Sequence, residues 1–212
     1  MKVILVNGSP HKNGCTYTAL CEVEKALNEN DIETEIFWLG VKPILSCTAC
    51  TKCSELGECA FDNGKVNEFV KKAYNADGFI FGSPVHYAAA TGAITSFLGR
   101  SFYSNGHGKG GDAFRFKPAA AIVSARRSGT TATFDQLNKF MTISQMPVIS
   151  SVYWNAVHGN TPEEVMQDEE GLFTMRQIGK NMAYFLKCIE AGREKGLKPD
   201  MSESKPRTNF IR

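Results

Sequence analysis

Apolar positions along the chain form short runs and helical stripes that alternate. Lys2 to Val6 is a short apolar run of the kind shown by a strand buried on both faces. Thr16 to Asn28 follows with Leu20, Val23 and Leu27 at helical spacing, and Thr34 to Leu39 makes a second, more alternating strand. Val66 to Tyr74 returns to helix with Phe69 and Val70 inward, and Asp77 to Gly82 reads as a third strand. Ala93 to Phe102 is helical, with Ile94, Phe97 and Leu98 at its buried positions, and the glycine-rich stretch Tyr103 to Lys117 reads as a long loop. Ala119 to Ser124 is a fourth strand, Thr133 to Ser144 a fourth helix and Val148 to Val152 a fifth strand. In the final helix Met175, Ile178, Met182, Phe185, Leu186 and Ile189 form one stripe.

Strands alternating with helices predict parallel βαβ units. The expected fold is α/β: a doubly wound five-stranded parallel sheet with helices on both faces. With no repeat and no linker, residues 1–196 read as one domain, interrupted by a cysteine-rich insertion at 46–60 and followed by a polar tail at 197–212. Ligands in such sheets bind outside the carboxyl ends of the strands, at the switch point in strand order. The loops that matter are therefore those after strands one, three and four.

Bulk properties narrow the function classes. The chain has 212 residues, 42% hydrophobic and 22% charged, as a soluble globular domain does. A net charge of +2 with no basic run argues against nucleic acid and against a charged membrane surface. No stretch approaches the roughly 18–20 apolar residues of a membrane span, and MKVILVNGSP is no signal peptide. A cytoplasmic, reducing location is the expectation, and there clustered cysteines are more often ligands or redox groups than disulfides.

The three loops carry the candidate chemistry. GSPHKNGCT (Gly8 to Thr16) leads straight into a helix, and helix-start N–H groups with Ser9, Asn13, Gly14, Cys15 and Thr16 suit a phosphate monoester. His11 and Lys12 add positive charge there, and the bland alternative is a helix cap with a glycine turn. The loop has neither the dinucleotide nor the triphosphate fingerprint. After the third strand, Pro84, Val85, His86 and Tyr87 offer a flat, partly apolar ledge followed by small alanines. After the fourth, Ala125, Arg126, Arg127 and Gly129 place two arginines near a ring or a second phosphate. His86 receives no acid–base role, and no catalytic triad or carboxylate pair is evident. Glu163, Glu164, Asp168, Glu169 and Glu170 read as a solvated helix start.

Four of the seven cysteines, Cys47, Cys50, Cys53 and Cys59, lie in SCTACTKCSELGEC. Their x2, x2, x5 spacing is similar to the ferredoxin run in which thiolates hold iron, which points to a 4Fe–4S cluster. Zinc prefers two well-separated pairs, disulfides are disfavoured by compartment, and a loop without metal is the remaining reading. Cys21 and Cys188 read as buried small apolar residues.

Together, GSPHKNGCT, SPVHYAAATG and the strand pattern resemble the flavodoxin-like NAD(P)H-dependent FMN reductase family. The cysteine spacing resembles its iron–sulfur flavoprotein branch. The resemblance implies FMN with its phosphate on Ser9 to Thr16 and its ring against Pro84 to Tyr87 and the Ala125 to Gly129 loop. His11 stands where many relatives have Arg. It also implies a flavin-dependent oxidoreductase that takes electrons from NAD(P)H or a ferredoxin-like donor and passes them to a small-molecule acceptor or protein partner. The alternatives are a non-catalytic electron carrier and an FMN-only quinone- or azo-type reductase with an empty cysteine loop. Carriers are usually strongly acidic, unlike this chain. A homodimer or homotetramer is expected, with the tail Lys205 to Arg212 either disordered or docked on a neighbouring subunit.

Overall fold

The computed structural model describes residues 1–61, 65–108, 111–204, 206 and 208. The tail contact expected from Lys205 to Arg212 falls on positions mostly outside those described. In chain order the elements are β1 (Lys2–Asn7), α1 (Cys15–Asn28), β2 (Glu33–Trp38), α2 (Cys53–Leu56), α3 (Val66–Tyr74), β3 (Gly78–His86) and β4 (Ala89–Ala90). They continue with α4 (Gly92–His107), β5 (Ala119–Ala125), α5 (Thr130–Ile143), β6 (Ala156–His158), α6 (Pro162–Val165) and α7 (Glu169–Glu194). Five parallel strands run in the order β2-β1-β3-β5-β6, and the short β4 pairs antiparallel with the end of β3. The α/β, doubly wound expectation holds.

The continuous apolar runs of the strands divide by parity between two cores. Val3 and Leu5 of β1 join Leu20, Val23 and Leu27 of α1 and Met175, Ile178 and Met182 of α7. Ile4 and Val6 join the opposite layer, built with α3, α4 and α5. That second core is aromatic. Phe69 of α3 has the ring centroids of Phe97, Phe37, Phe79 and Phe114 at 4.9, 5.6, 5.9 and 5.9 Å. Each such pair adds about 0.5–1.5 kcal/mol beyond its buried area.

Five expectations need correction. The fifth strand is not Val148–Val152. Val148 makes only an isolated bridge with Ala119, and the paired strand is Ala156–His158 against Val123–Ala125. Between them the chain leaves the sheet, with Val152, Tyr153 and Trp154 exposed. Asn155 repairs the gap: its buried Nδ2 donates to Ala121 O at 2.9 Å, its Oδ1 accepts from Ser151 Oγ at 2.6 Å, and its carbonyl accepts from Val123 N.

The segment from Tyr103 is not loop throughout, because α4 continues to His107. Tyr103 stacks on His107 at 4.0 Å, and Asn105 Oδ1 accepts from Ala113 N, tying the helix end to the following segment. β3 also runs further than expected, through Ser83 and Pro84 to His86, because those residues pair with Val123 and Ser124 of β5. Finally, Phe185 is exposed in the α7 stripe, where Leu172 and Ala183 join the buried face, and Cys188 is exposed as well.

Candidate functional site

The loop after β1 is shaped by the last residue of that strand. Asn7 is fully buried; its Oδ1 accepts from Ser9 N at 3.0 Å and its Nδ2 donates to Lys12 O at 3.0 Å. Ser9 Oγ accepts from His11 N, and Trp38 Nε1 donates to Ser9 O at 2.8 Å. Gly8 lies so close to α4 and β3 that a Cβ there would stand 2.8 Å from Ile94 side-chain carbons and 2.9 Å from Gly82 O. Only glycine fits this crossing.

α1 then starts behind Gly14 with no side-chain cap. The N–H groups of its first turn have no intrahelical acceptors, and the helix dipole adds partial positive charge. This is an anion cradle of the kind that phosphates occupy. The side chains at its base are committed elsewhere. Cys15 Sγ donates to Gly159 O at 3.6 Å, and burial pushes its thiol pKa up. Thr16 Oγ1 and Ser124 Oγ share a buried hydrogen bond at 2.8 Å. Cys15 and Thr16 thus fasten α1 to the ends of β5 and β6, while His11, Lys12 and Asn13 are exposed along the loop.

Two neighbouring loops complete the edge. Pro84 and Val85 are half-buried, whereas His86 and Tyr87 are exposed at the tip of the β3–β4 hairpin. Tyr87 adopts φ +65°, a sparsely populated conformation for a tyrosine. Ala125 is buried, and Arg126 and Arg127 are exposed with no ion pair among the described residues. Gly129 has φ +90°, and a Cβ there would meet Val85 Cγ1 at 2.9 Å. Glycine therefore lets this loop lie directly on the hairpin, and α5 also begins without a side-chain cap. The structure brings the first-loop residues and the Pro84–Tyr87 and Ala125–Gly129 segments to one end of the sheet, since Gly8 N donates to Gly82 O and Pro84 pairs with Ser124.

The acidic run lies beside this edge. Asp168 caps α7 by accepting from Gly171 N, and it also accepts from His158 N at 2.6 Å. Its role as a helix start is as expected.

The cysteine segment folds against the middle of α4. Cys47, Cys50, Cys53 and Cys59 all line one pocket, with Arg100 and Tyr103 on its α4 side. Ala49 and Thr51 flank Cys50 in left-handed conformations, φ +53° and +59°. Such non-glycine residues cost about 1–3 kcal/mol each, so the loop is held in this form by its surroundings. Ser46 Oγ bonds Ser96 Oγ at 2.9 Å. Asn67 clasps the backbone of Cys59, accepting from its N–H and donating to its carbonyl, both at 3.0 Å. Cys53 is buried, which pushes its thiol pKa up, whereas Cys47 and Cys50 are exposed at the mouth. Among the described residues no three or more His, Cys, Asp or Glu side chains are drawn together tightly enough to hold a single metal ion. The thiols are spread around a pocket rather than onto one point.

Asn7, Trp38, Asn67 and Arg100 were not anticipated from the sequence. For Arg100 a signal existed: it sits three residues after inward-facing Phe97, in a helix stretch with no Asp or Glu to pair with it.

A sequence profile of the NADPH-dependent FMN reductase family matches residues 1–161. An iron–sulfur flavoprotein of Methanocaldococcus jannaschii is 32% identical over 200 residues, covering 90% of this chain and all of that one. An iron–sulfur flavoprotein of Archaeoglobus fulgidus is 25% identical over 203 residues, covering 89% and 98%. Among solved structures, RosB with bound 8-demethyl-8-formylriboflavin-5'-phosphate superposes with a TM-score of 0.68 at 13% identity, covering 100% of this chain and 96% of RosB. That likeness is one of fold. Among the described residues no helix is long and apolar enough to cross a membrane. On the family match and the full-length likeness, the chain belongs to the NADPH-dependent FMN reductase family and is a flavin-dependent oxidoreductase.

Proposed function

We propose that residues 1–196 bind FMN at the carboxyl edge of the sheet and that Cys47, Cys50, Cys53 and Cys59 ligate a 4Fe–4S cluster. The observation that carries the reading is the placing of an uncapped α1 start, the Pro84–Tyr87 hairpin and the exposed Arg126 and Arg127 around one end of the sheet. FMN would supply two-electron exchange with NAD(P)H and single-electron exchange with an iron–sulfur centre.

The chain's own contributions follow from its geometry. The first-turn amides of α1, with Ser9, His11 and Lys12, receive the phosphate. Pro84 and Val85 would offer an apolar floor for the ring, and Arg126 or Arg127 would supply positive charge beside it, which favours negative charge on a reduced flavin. Support for a four-thiolate ligand set is that all four cysteines line one pocket. The exposure of Cys47 and Cys50 leaves its mouth accessible to a single-electron protein donor, while a small-molecule acceptor is served at the flavin edge.

Anaerobic mixing of the FMN-loaded protein with NADPH or NADH tests this reading. Bleaching of the flavin band supports it. Failure of the chain to retain FMN overturns it, and inertness to both nucleotides alongside rapid reduction by a ferredoxin replaces the nicotinamide donor with a protein.

A further inference from the structure

Arg100 lies in the middle of α4 with only 2% of its surface exposed. Its guanidinium points into the cysteine pocket. Nε donates to Cys59 Sγ at 3.4 Å and Nη2 donates to the same sulfur at 3.2 Å. Nη1 donates to Leu45 O at 3.3 Å, and Nη2 also donates to Phe61 O. Among the described residues no carboxylate forms an ion pair with it.

Burying a cation costs several kcal/mol unless a counter-charge and hydrogen bonds compensate. Here hydrogen bonds compensate: two of the donors converge on the Cys59 sulfur, and others reach the Leu45 and Phe61 carbonyls. The planar fork of the guanidinium suits two donors on one sulfur. Asn67 meanwhile fixes the Cys59 backbone from both sides, which sets the place from which the side chain reaches Arg100. Of the four cysteines, the described hydrogen bonds give only Cys59 a cationic side-chain donor.

We infer that Arg100 is a positioning residue for Cys59: it holds that sulfur in place as a ligand and, through N–H···S bonds, raises the reduction potential of the bound cluster. The inference rests on the cluster reading above. Hydrogen bonds to a ligating sulfur withdraw electron density and stabilise the reduced centre, and outer groups of this kind tune metal sites as strongly as they orient ligands. Lysine at this position keeps the charge and loses the fork, whereas methionine keeps bulk and loses both.

The test is a redox titration, followed by electron paramagnetic resonance, of anaerobically prepared protein and its Arg100→Lys and Arg100→Met variants, with iron counted in each. Arg100→Met is expected to retain the cluster with a lower midpoint potential, and Arg100→Lys to fall between. A second measurement does not depend on any variant folding. In wild-type protein labelled with 15N-arginine, the reduced cluster is expected to show hyperfine coupling to a guanidinium nitrogen. Wild-type protein that binds no iron defeats the cluster reading itself. A wild-type cluster with no nitrogen coupling, or with a potential unchanged in Arg100→Met, overturns the role of Arg100 and leaves the cluster standing.

Discussion

Thr91 Oγ1 donates to Gly8 O at 2.9 Å while accepting from Ile94 N at 3.3 Å. One hydroxyl thus caps α4 and anchors the loop after β1 to it. The same helix reaches the cysteine pocket at Arg100, and at 1.5 Å per residue about 12 Å of helix separates it from Gly92. The two sites are mounted on one rigid element.

Replacing Thr91 with alanine removes the cap and leaves the buried Gly8 carbonyl without its donor. A loss of about 1–3 kcal/mol is expected by urea denaturation, with weaker FMN binding. Thr91→Ser keeps the hydroxyl and is expected to recover most of both.

At Gly8 the limit is steric. Gly8→Ala puts a Cβ within 2.8 Å of Ile94 and 2.9 Å of Gly82 O, so the loop must shift. A destabilisation of about 1–3 kcal/mol is expected, and a fluorescence titration should show FMN affinity falling with it.

Arg126 and Arg127 offer the opposite signature. Both are exposed, so their double replacement by alanine is expected to change unfolding free energy by less than about 0.5 kcal/mol. FMN affinity, measured by quenching of flavin fluorescence, should fall about tenfold and lose part of its salt dependence. An unchanged affinity would remove these residues from the flavin site.

Asn155 tests the broken strand. Asn155→Ala leaves Ala121 O, in the middle of β5, without its side-chain donor. A loss of about 1–3 kcal/mol is expected by denaturant titration, with Asn155→Asp failing to restore it because a carboxylate donates nothing.

This strand also shows where sequence patterns stop being informative. The parity of Val3 and Leu5 against Ile4 and Val6, and the α7 stripe from Met175 to Leu186, follow from periodicity because burial on a sheet or helix repeats along the chain. From Val148 to His158 the chain is rich in β-forming residues throughout, so nothing local marks the exit at Ser150 or the return at Ala156. That break depends on one amide side chain reaching a carbonyl 34 residues away. The extension of α4 to His107 is hidden similarly, since Asn105 and Gly106 read as turn residues until tertiary hydrogen bonds hold the helix end. In the site, the three loops were legible because topology places them, and the cysteines because their spacing is dense. Arg100 belongs to neither pattern; its meaning comes from the sulfur it faces.

The central claim is that one chain carries both FMN and a cluster on the four cysteines. The most direct test is to purify the protein without oxygen and measure iron, acid-labile sulfide and FMN per chain, in the wild type and in Cys53→Ala. About four irons and four sulfides per FMN are expected in the wild type. In the variant iron should be lost and FMN retained. A wild-type protein that holds FMN but no iron, even after reconstitution with iron and sulfide, would contradict it.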